Sequence, residues 1–279
     1  MDLIRENRYI GGEMLDVDIF AVKKRAKTRA CRAKPTSETQ ARLNRKNSEK
    51  RLRRLLHLNF IAGRDREITL TFDETKMPDT DDGQERAVKN YLRRLKRIYD
   101  KQGAEFRYIV CMGGRDGRAR RHVHITVSGS EKIPRSALES AWKNGTCNTD
   151  LLQDADGKMF APLAGYITSA KQLDRTASDA NGKKRWWGSR NLKKPKAAER
   201  TGYLSKKTVR GLIYGSELDT AAVEEIYRGY RVVDFDISES PLFGEVYINI
   251  LLRRISTEEG EETDCREKRN TQDDRRRNI

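Results

Sequence analysis

Two of the three histidines in the chain stand one residue apart, as His122-Val123-His124, within a run of apolar residues. Side chains alternate across a β-strand, so both imidazoles project from one face, about 7 Å apart along the strand. Two imidazoles on a rigid strand can together bind a divalent metal ion. The same pattern fits two histidines on a solvated sheet face, and spacing alone does not choose between the two interpretations.

Tyr166 is the second residue that can carry chemistry, and it follows the histidines in an amphipathic stretch. Beside a metal ion that draws charge off a phosphate, a phenol oxygen can attack phosphorus and form a phosphotyrosine. The broken strand then keeps a free hydroxyl, and the new ester conserves the bond for later rejoining. The simpler interpretation is a packed aromatic side chain, which is the usual role among ten tyrosines.

The excess positive charge of the chain is confined to two segments. The formal net charge is +16, and residues 23–54 contain 14 lysines and arginines against two glutamates. Residues 183–210 contain 11 lysines and arginines against Glu199. Confined positive charge favours a polyanionic partner, because each neutralised phosphate releases counterions. A solvated basic helix and a flexible linker are the plain alternative.

Both basic segments contain candidate contacts to nucleic acid. In the second, two neighbouring tryptophans offer faces on which unpaired bases stack, worth about 1–3 kcal/mol per base. Its basic side chains would follow the backbone, and its asparagine amide can read a base edge. The candidates in this segment are Arg185, Trp186, Trp187, Arg190, Asn191, Lys193 and Lys194. The first segment is predicted to form a helix that contacts a duplex or hairpin through Arg45, Lys46, Arg53 and Arg54.

The pattern along the chain predicts an α+β domain: a central antiparallel sheet with helices packed on one face and the candidate site on the other. Strands are indicated by alternation of apolar residues, and helices by apolar residues at a spacing of three and four. The predicted strands are 67–72, 106–112, 121–128, 230–238 and 244–253, and the predicted helices are 38–58, 84–101, 134–143 and 160–173. Residues 174–200 are predicted to be a loop or an extended surface segment.

The ordered set Thr69-Leu70-Thr71-Phe72, His122-Val123-His124 and Tyr166 resembles the three motifs of the HUH endonuclease superfamily. Within it, the chain is similar to phage and plasmid rolling-circle replication proteins related to the filamentous-phage nicking protein, from about residue 34 to 200. The resemblance implies a ferredoxin-like or RRM-like core. It also implies a metal-dependent endonuclease that nicks single-stranded DNA, often at an origin hairpin, and leaves a 3′ hydroxyl for the host polymerase.

The resemblance further implies a magnesium or manganese ion held by His122, His124 and one acid. Family members often place that acid eight or nine positions before the first histidine, where this chain has two glycines. Asp116 is the predicted third ligand instead, and Asp73 and Glu74 are the alternatives.

A lysine commonly follows the tyrosine of the family by three or four positions, one helical turn away. Here Lys171 follows Tyr166 by five positions and is the predicted catalytic lysine, although it lies about 140° round a regular helix. Tyr203 has the usual spacing, to Lys206, and is therefore the second candidate nucleophile.

The predicted division is a basic N-terminal arm (1–35), an endonuclease domain (36–200), a C-terminal extension (201–255) and a disordered charged tail (256–279). No phosphate-binding loop of the GxxxxGK[ST] type is present, so a host helicase is expected as a partner. Four widely spaced cysteines, no long apolar run and no secretory signal favour the cytoplasm of a bacterium or host cell. The alternatives are a relaxase or tyrosine transposase with the same chemistry, and a non-enzymatic basic nucleic-acid-binding protein.

Overall fold

Two antiparallel sheets organise the chain, one in each of the two units into which it divides. The computed structural model describes residues 3–22, 38–114, 120–168, 186–198, 202–214, 217–239 and 246–255. The first unit combines Met1–Arg25 with Ala197–Ile279, and the second is Ala26–Lys196. The second unit therefore contains the histidine pair, Tyr166 and both tryptophans of the basic segment.

The elements of the described residues alternate between strands and helices along the chain. In order they are β1 (Leu3–Gly11), β2 (Met14–Val22), α1 (Glu38–Asn59), β3 (Arg66–Thr71), a 3-10 turn (Glu74–Lys76), α2 (Asp81–Lys101), β4 (Tyr108–Gly113), β5 (His122–Val127), α3 (Arg135–Ser140), β6 (Cys147–Leu151), α4 (Ala161–Thr168), β7 (Trp186–Gly188), β8 (Tyr203–Leu204), α5 (Lys206–Gly211), β9 (Ile213–Tyr214), β10 (Glu217–Leu218), α6 (Thr220–Ile226), β11 (Tyr230–Glu239) and β12 (Val246–Arg254). The predicted α+β class, with antiparallel sheets and helices packed against them, is confirmed.

The sheet of the second unit has the strand order β6-β3-β5-β4-β7. One face is covered by α2 and α3, because alternate residues of the strands, such as Ile68, Leu70 and Val123, meet the apolar stripe of α2. That helix begins at Asp81 because the Thr80 side chain accepts a hydrogen bond from the Gly83 N–H. This arrangement fixes the three central strands from behind.

The opposite face of the same sheet carries a second apolar cluster. Leu52 and Leu56 of α1 and Ile167 of α4 pack there with Ile109 and Cys111 of β4. Helices thus lie on both faces of this sheet, and α1 and α4 cover part of the face to which the two histidines belong. The site is consequently bordered by helices as well as by strands.

The sheet of the first unit has the order β11-β12-β2-β1-β8 and buries Leu15, Val17 and Ile250 among its core residues. The predicted C-terminal strand pair is confirmed as β11 and β12, which pair antiparallel. No helix within the described ranges has the length and apolar character required to cross a membrane.

Two sequence interpretations are corrected by these elements. The sequence predicts an arm over residues 1–35, but β1 and β2 form a hairpin whose two-residue loop begins at Gly12, with φ of 59°. Polar residues at inward positions, such as Glu6, hide the alternation of these strands. The sequence predicts a loop over residues 174–200, but β7 pairs with β4, and three residues are too few to show a period.

Candidate active site

The two histidines lie on β5, the central strand of the sheet, and share one face of it. Their ring centroids are 5.3 Å apart. His124 is flanked by Thr69 on β3 and by Cys111 on β4, because these three residues stand opposite one another in the antiparallel register. Val123, between the histidines, points into the core on the other face. The strand therefore presents both imidazoles side by side, as the alternation predicts.

His122 has a ring orientation fixed by the backbone. Its Nδ1 lies 2.8 Å from the carbonyl oxygen of Arg120. A carbonyl oxygen only accepts, so Nδ1 carries the proton, and in the neutral imidazole the lone pair available to a metal ion is on Nε2. This is the usual arrangement of a metal-binding histidine, whose second nitrogen donates to an oxygen.

His124 is buried, with 8% of its surface exposed. Its Nδ1 lies 3.4 Å from the Thr69 hydroxyl and 3.5 Å from a carboxylate oxygen of Glu67. Its Nε2 is also buried and makes no hydrogen bond. A buried polar atom without a partner costs roughly 1–3 kcal/mol, so this nitrogen is a position at which a ligand would be stabilising.

Tyr166 lies on α4 next to the histidine pair. Its ring centroid is 5.4 Å from that of His124, and the two rings meet edge to face at 85°. Ala164 and Ile167 pack α4 onto the sheet, and the helix approach is held where the Phe160 N–H donates to His57 Nε2 over 3.3 Å. The phenol itself remains 49% exposed, so one side of the ring contacts the histidines and the other is open to a substrate.

The end of β5 is anchored from the opposite face by a fully buried glutamine. Gln84 donates from its side-chain amide to the carbonyl oxygens of Gly113 and His122, over 3.2 and 3.1 Å. Arg121 in turn donates to the Gln84 amide oxygen and to Asp81, which is 2.7 Å away. The N-terminal turn of α2 thus fixes the backbone that carries His122.

The third metal ligand is not found in the described part of the chain, where no three His, Cys, Asp or Glu side chains are grouped to hold a metal ion. The predicted ligand, Asp116, lies outside the described residues. Of the alternatives, Asp73 is half-exposed and 3.8 Å from Lys76, and Glu74 is exposed in the 3-10 turn.

The other predicted catalytic residues are placed as follows. Lys171 lies outside the described residues. Tyr203, the second candidate nucleophile, is on β8 in the first unit, where it pairs with Arg5 of β1. Tyr166 is the candidate tyrosine that the structure places beside the histidines.

The two tryptophans of the basic segment face opposite sides of the sheet. Trp187 packs against the cluster under α2. Trp186 stands opposite Cys111, on the histidine face, where its indole N–H donates to Ser48 over 3.0 Å and Arg51 lies 5.8 Å from the ring. Both are half-buried, so each has a packing role, and base stacking on them stays a prediction.

The rest of the basic segment is strapped to α1 and β4. Asn59 donates to the Lys193 carbonyl oxygen and accepts from the Lys193 N–H, over 2.9 and 2.8 Å. Asn191, predicted to read a base, donates to the Phe106 carbonyl oxygen. The side chains of Arg190, Lys193 and Lys194 are exposed. Arg185 lies outside the described residues.

Helix α1 supplies the remaining predicted contacts. Arg45, Lys46 and Arg54 are partly exposed. Arg53 is buried, with 7% of its surface exposed, so the prediction that its side chain contacts DNA is corrected. The helix turns this position toward the packed side, one residue from the buried Leu52.

Glu67 and Gln84 were missed at the sequence level. Alternation along β3 puts Glu67 on the same side as Thr69, but its closeness to His124 depends on the register between β3 and β5. Gln84 is an inward polar residue in an otherwise apolar stripe, which is the signal that could have marked it.

A family of known proteins matches the part of the chain that forms this site. The family model of the replication-associated protein ORF2 matches residues 65–171, a range that begins just before β3 and contains the histidine pair and Tyr166. The match points to a replication-associated function of the phage type. No curated protein and no solved structure matches the chain significantly.

Proposed function

We propose that this chain initiates rolling-circle replication as an HUH-type endonuclease, which nicks one DNA strand with the help of a divalent metal ion and holds the 5′ end on Tyr166. The observation that carries the proposal is the row of three rings, in which His124 lies 5.3 Å from His122 and 5.4 Å from Tyr166. The family match, which spans all three, favours a replication origin as substrate over a transfer origin or element end.

The proposed reaction exchanges one phosphodiester for another. The Tyr166 oxygen bonds to phosphorus while the bond from phosphorus to the 3′ oxygen breaks. The phenol proton passes to solvent, and the departing 3′ oxygen takes up a proton. The resulting 3′ hydroxyl serves as a primer for the host polymerase, and the tyrosine ester on the 5′ phosphate preserves the bond energy for rejoining.

His122 and His124 would hold the divalent ion, magnesium or manganese, with Asp116 as the proposed third ligand. Bound there, the ion would draw charge off a phosphate oxygen and lower the barrier to attack. The donor set supports this assignment, because His122 has its Nδ1 committed to a carbonyl oxygen and His124 has a buried Nε2 without a hydrogen bond.

Single-stranded DNA is the proposed partner of the basic strip, which we define as Arg190, Lys193, Lys194 and Lys196. These four side chains are exposed. The strip continues from β7, in which Trp186 stands two strands from His124 on the same sheet face, about 10 Å at the usual strand spacing. Phosphates bound along the strip would thus lead the strand toward Tyr166. A host helicase is the proposed source of strand separation.

Metal binding separates this proposal from a non-enzymatic nucleic-acid-binding protein. The thermal unfolding of the full chain would be followed with increasing Mn²⁺, for the wild type and for the double variant His122→Ala, His124→Ala. We expect stabilisation of the wild type, by about 2.7 kcal/mol at 100 times the dissociation constant, and none in the double variant.

The control is His57→Asn, which changes the third histidine, a buried residue that packs against Phe160. Its baseline stability will fall, but its Mn²⁺-dependent increase should match that of the wild type. An increase that survives in the double variant, or is absent from the wild type, would contradict the proposed metal site.

A further inference from the structure

We infer that Glu67 is a positioning residue, whose carboxylate selects the tautomer of His124 that leaves Nε2 with a lone pair. The inference rests on the proposed function, because it assigns a role to Glu67 in the same site. Glu67 stands on β3 two residues before Thr69, on the side of the strand that faces the histidines. A carboxylate oxygen lies 3.5 Å from His124 Nδ1.

The Thr69 hydroxyl cannot make this selection by itself. It lies 3.4 Å from the same Nδ1, and a hydroxyl can either donate to that nitrogen or accept from it. If it donates, Nδ1 carries the lone pair and the proton moves to Nε2. The latter nitrogen is buried and has no hydrogen-bond partner, so a proton there would be both unpaired and an obstacle to metal binding.

An ionised carboxylate, in contrast, accepts only. With Glu67 facing Nδ1, that nitrogen carries the proton and shares it between the carboxylate and the Thr69 oxygen. Nε2 is then left as the lone-pair nitrogen, directed to the side of the ring away from Glu67. His122 reaches the same state through the Arg120 carbonyl, so the two histidines use different acceptors to the same effect.

The surroundings of Glu67 agree with this role. In the described part of the chain, no lysine or arginine pairs with it, although the chain has 58 basic residues. Its side chain is 30% exposed, against 10% for His124. Solvent therefore screens the interaction, and we expect its loss to weaken metal binding about tenfold, the low end of the 10–100-fold range for residues that orient a metal ligand.

The test is nitrogen NMR of the full chain labelled with [15N]histidine, without metal and at a pH above the histidine range. Three histidines give three ring patterns, and each pattern distinguishes a protonated Nδ1 from a protonated Nε2. We expect His124 to be protonated on Nδ1 in the wild type and on Nε2, at least in part, in Glu67→Ala. Glu67→Gln keeps an acceptor oxygen and should retain most of the wild-type pattern.

The matched control is Asp150→Asn, since Asp150 stands opposite Glu67 on β6 and is 65% exposed. It should leave the His124 pattern and the Mn²⁺ dissociation constant unchanged, while Glu67→Ala raises that constant about tenfold. An unchanged His124 pattern in Glu67→Ala, or a change in Thr69→Val alone, would overturn the inference. Because the spectra need neither metal nor DNA, this result is independent of whether the chain nicks DNA.

Discussion

At the scale of single residues, the candidate site combines two histidines whose ring nitrogens are already oriented with a tyrosine that is only half covered. The orientation comes from the Arg120 carbonyl for His122 and from Glu67 and Thr69 for His124. An oriented ligand loses less entropy when it binds, which is the value of a rigid strand as a metal-binding platform.

The basic strip leads to a prediction about salt. Lys193→Ala with Lys194→Ala should weaken binding of single-stranded DNA and reduce the slope of log affinity against log salt by about 0.7 for each phosphate that is no longer neutralised. Fluorescence anisotropy of a labelled oligonucleotide at several salt concentrations measures both. Lys101→Ala, at the exposed end of α2, is the control and should leave the slope unchanged. Equal slopes for the control and the double variant would exclude the strip as the DNA-binding surface.

At the scale of elements, the sequence predicts those segments whose periodicity is strong and whose partners are local. The stripe of α2 and the alternation of β3 and β5 are confirmed. The hairpin of β1 and β2 was missed, because Glu6 is an inward polar residue satisfied by Arg8 and by the distant Tyr227. Which strands pair, and in which register, depends on such distant contacts, so the place of Glu67 beside His124 could not be predicted.

Asn59 is the residue that holds the basic strip to α1, and its removal gives a prediction at this scale. Asn59→Ala loses both hydrogen bonds to the Lys193 backbone and one to the Leu55 carbonyl. We expect the free energy of unfolding to fall by roughly 1–3 kcal/mol, because buried backbone groups lose partners. We also expect weaker binding of single-stranded DNA, since the strip loses its fixed position.

Urea denaturation and anisotropy measure the two effects of Asn59→Ala separately. Asn90→Ala, on the exposed side of α2 where the amide contacts Arg93, is the control and should change neither. A variant that is destabilised but binds DNA as the wild type does would show that the strap supports the fold alone.

At the scale of the whole molecule, each unit has its own apolar core, and each core contains tyrosines buried with their hydroxyls bonded. Tyr91 and Tyr99 of the second unit donate to carbonyl oxygens, and Tyr227 of the first donates to Glu6. Burial is the largest cause that raises the pKa of all three above the ordinary tyrosine value. Each core is therefore stabilised by phenols that stay protonated.

This shift predicts instability in alkali. A tyrosine with a raised folded-state pKa stabilises the fold fully below the unfolded-state pKa of about 10, and the contribution is lost as pH rises above that value. The free energy of unfolding should thus decline from about pH 10 upward, as measured by urea denaturation across the range. Tyr99→Phe should be less stable at neutral pH and show a smaller decline. A decline of the same size in Tyr99→Phe would assign the effect to other groups.

The central claim is that Tyr166 is the nucleophile of a DNA-nicking site, and its most direct test is the covalent adduct. The full chain would be incubated with Mn²⁺ and a labelled pool of single-stranded phage-derived oligonucleotides, then separated under denaturing conditions. We predict a labelled protein–DNA adduct for the wild type and for Tyr203→Phe, and none for Tyr166→Phe. An adduct that persists in Tyr166→Phe but disappears in Tyr203→Phe would contradict the assignment of Tyr166 as the nucleophile.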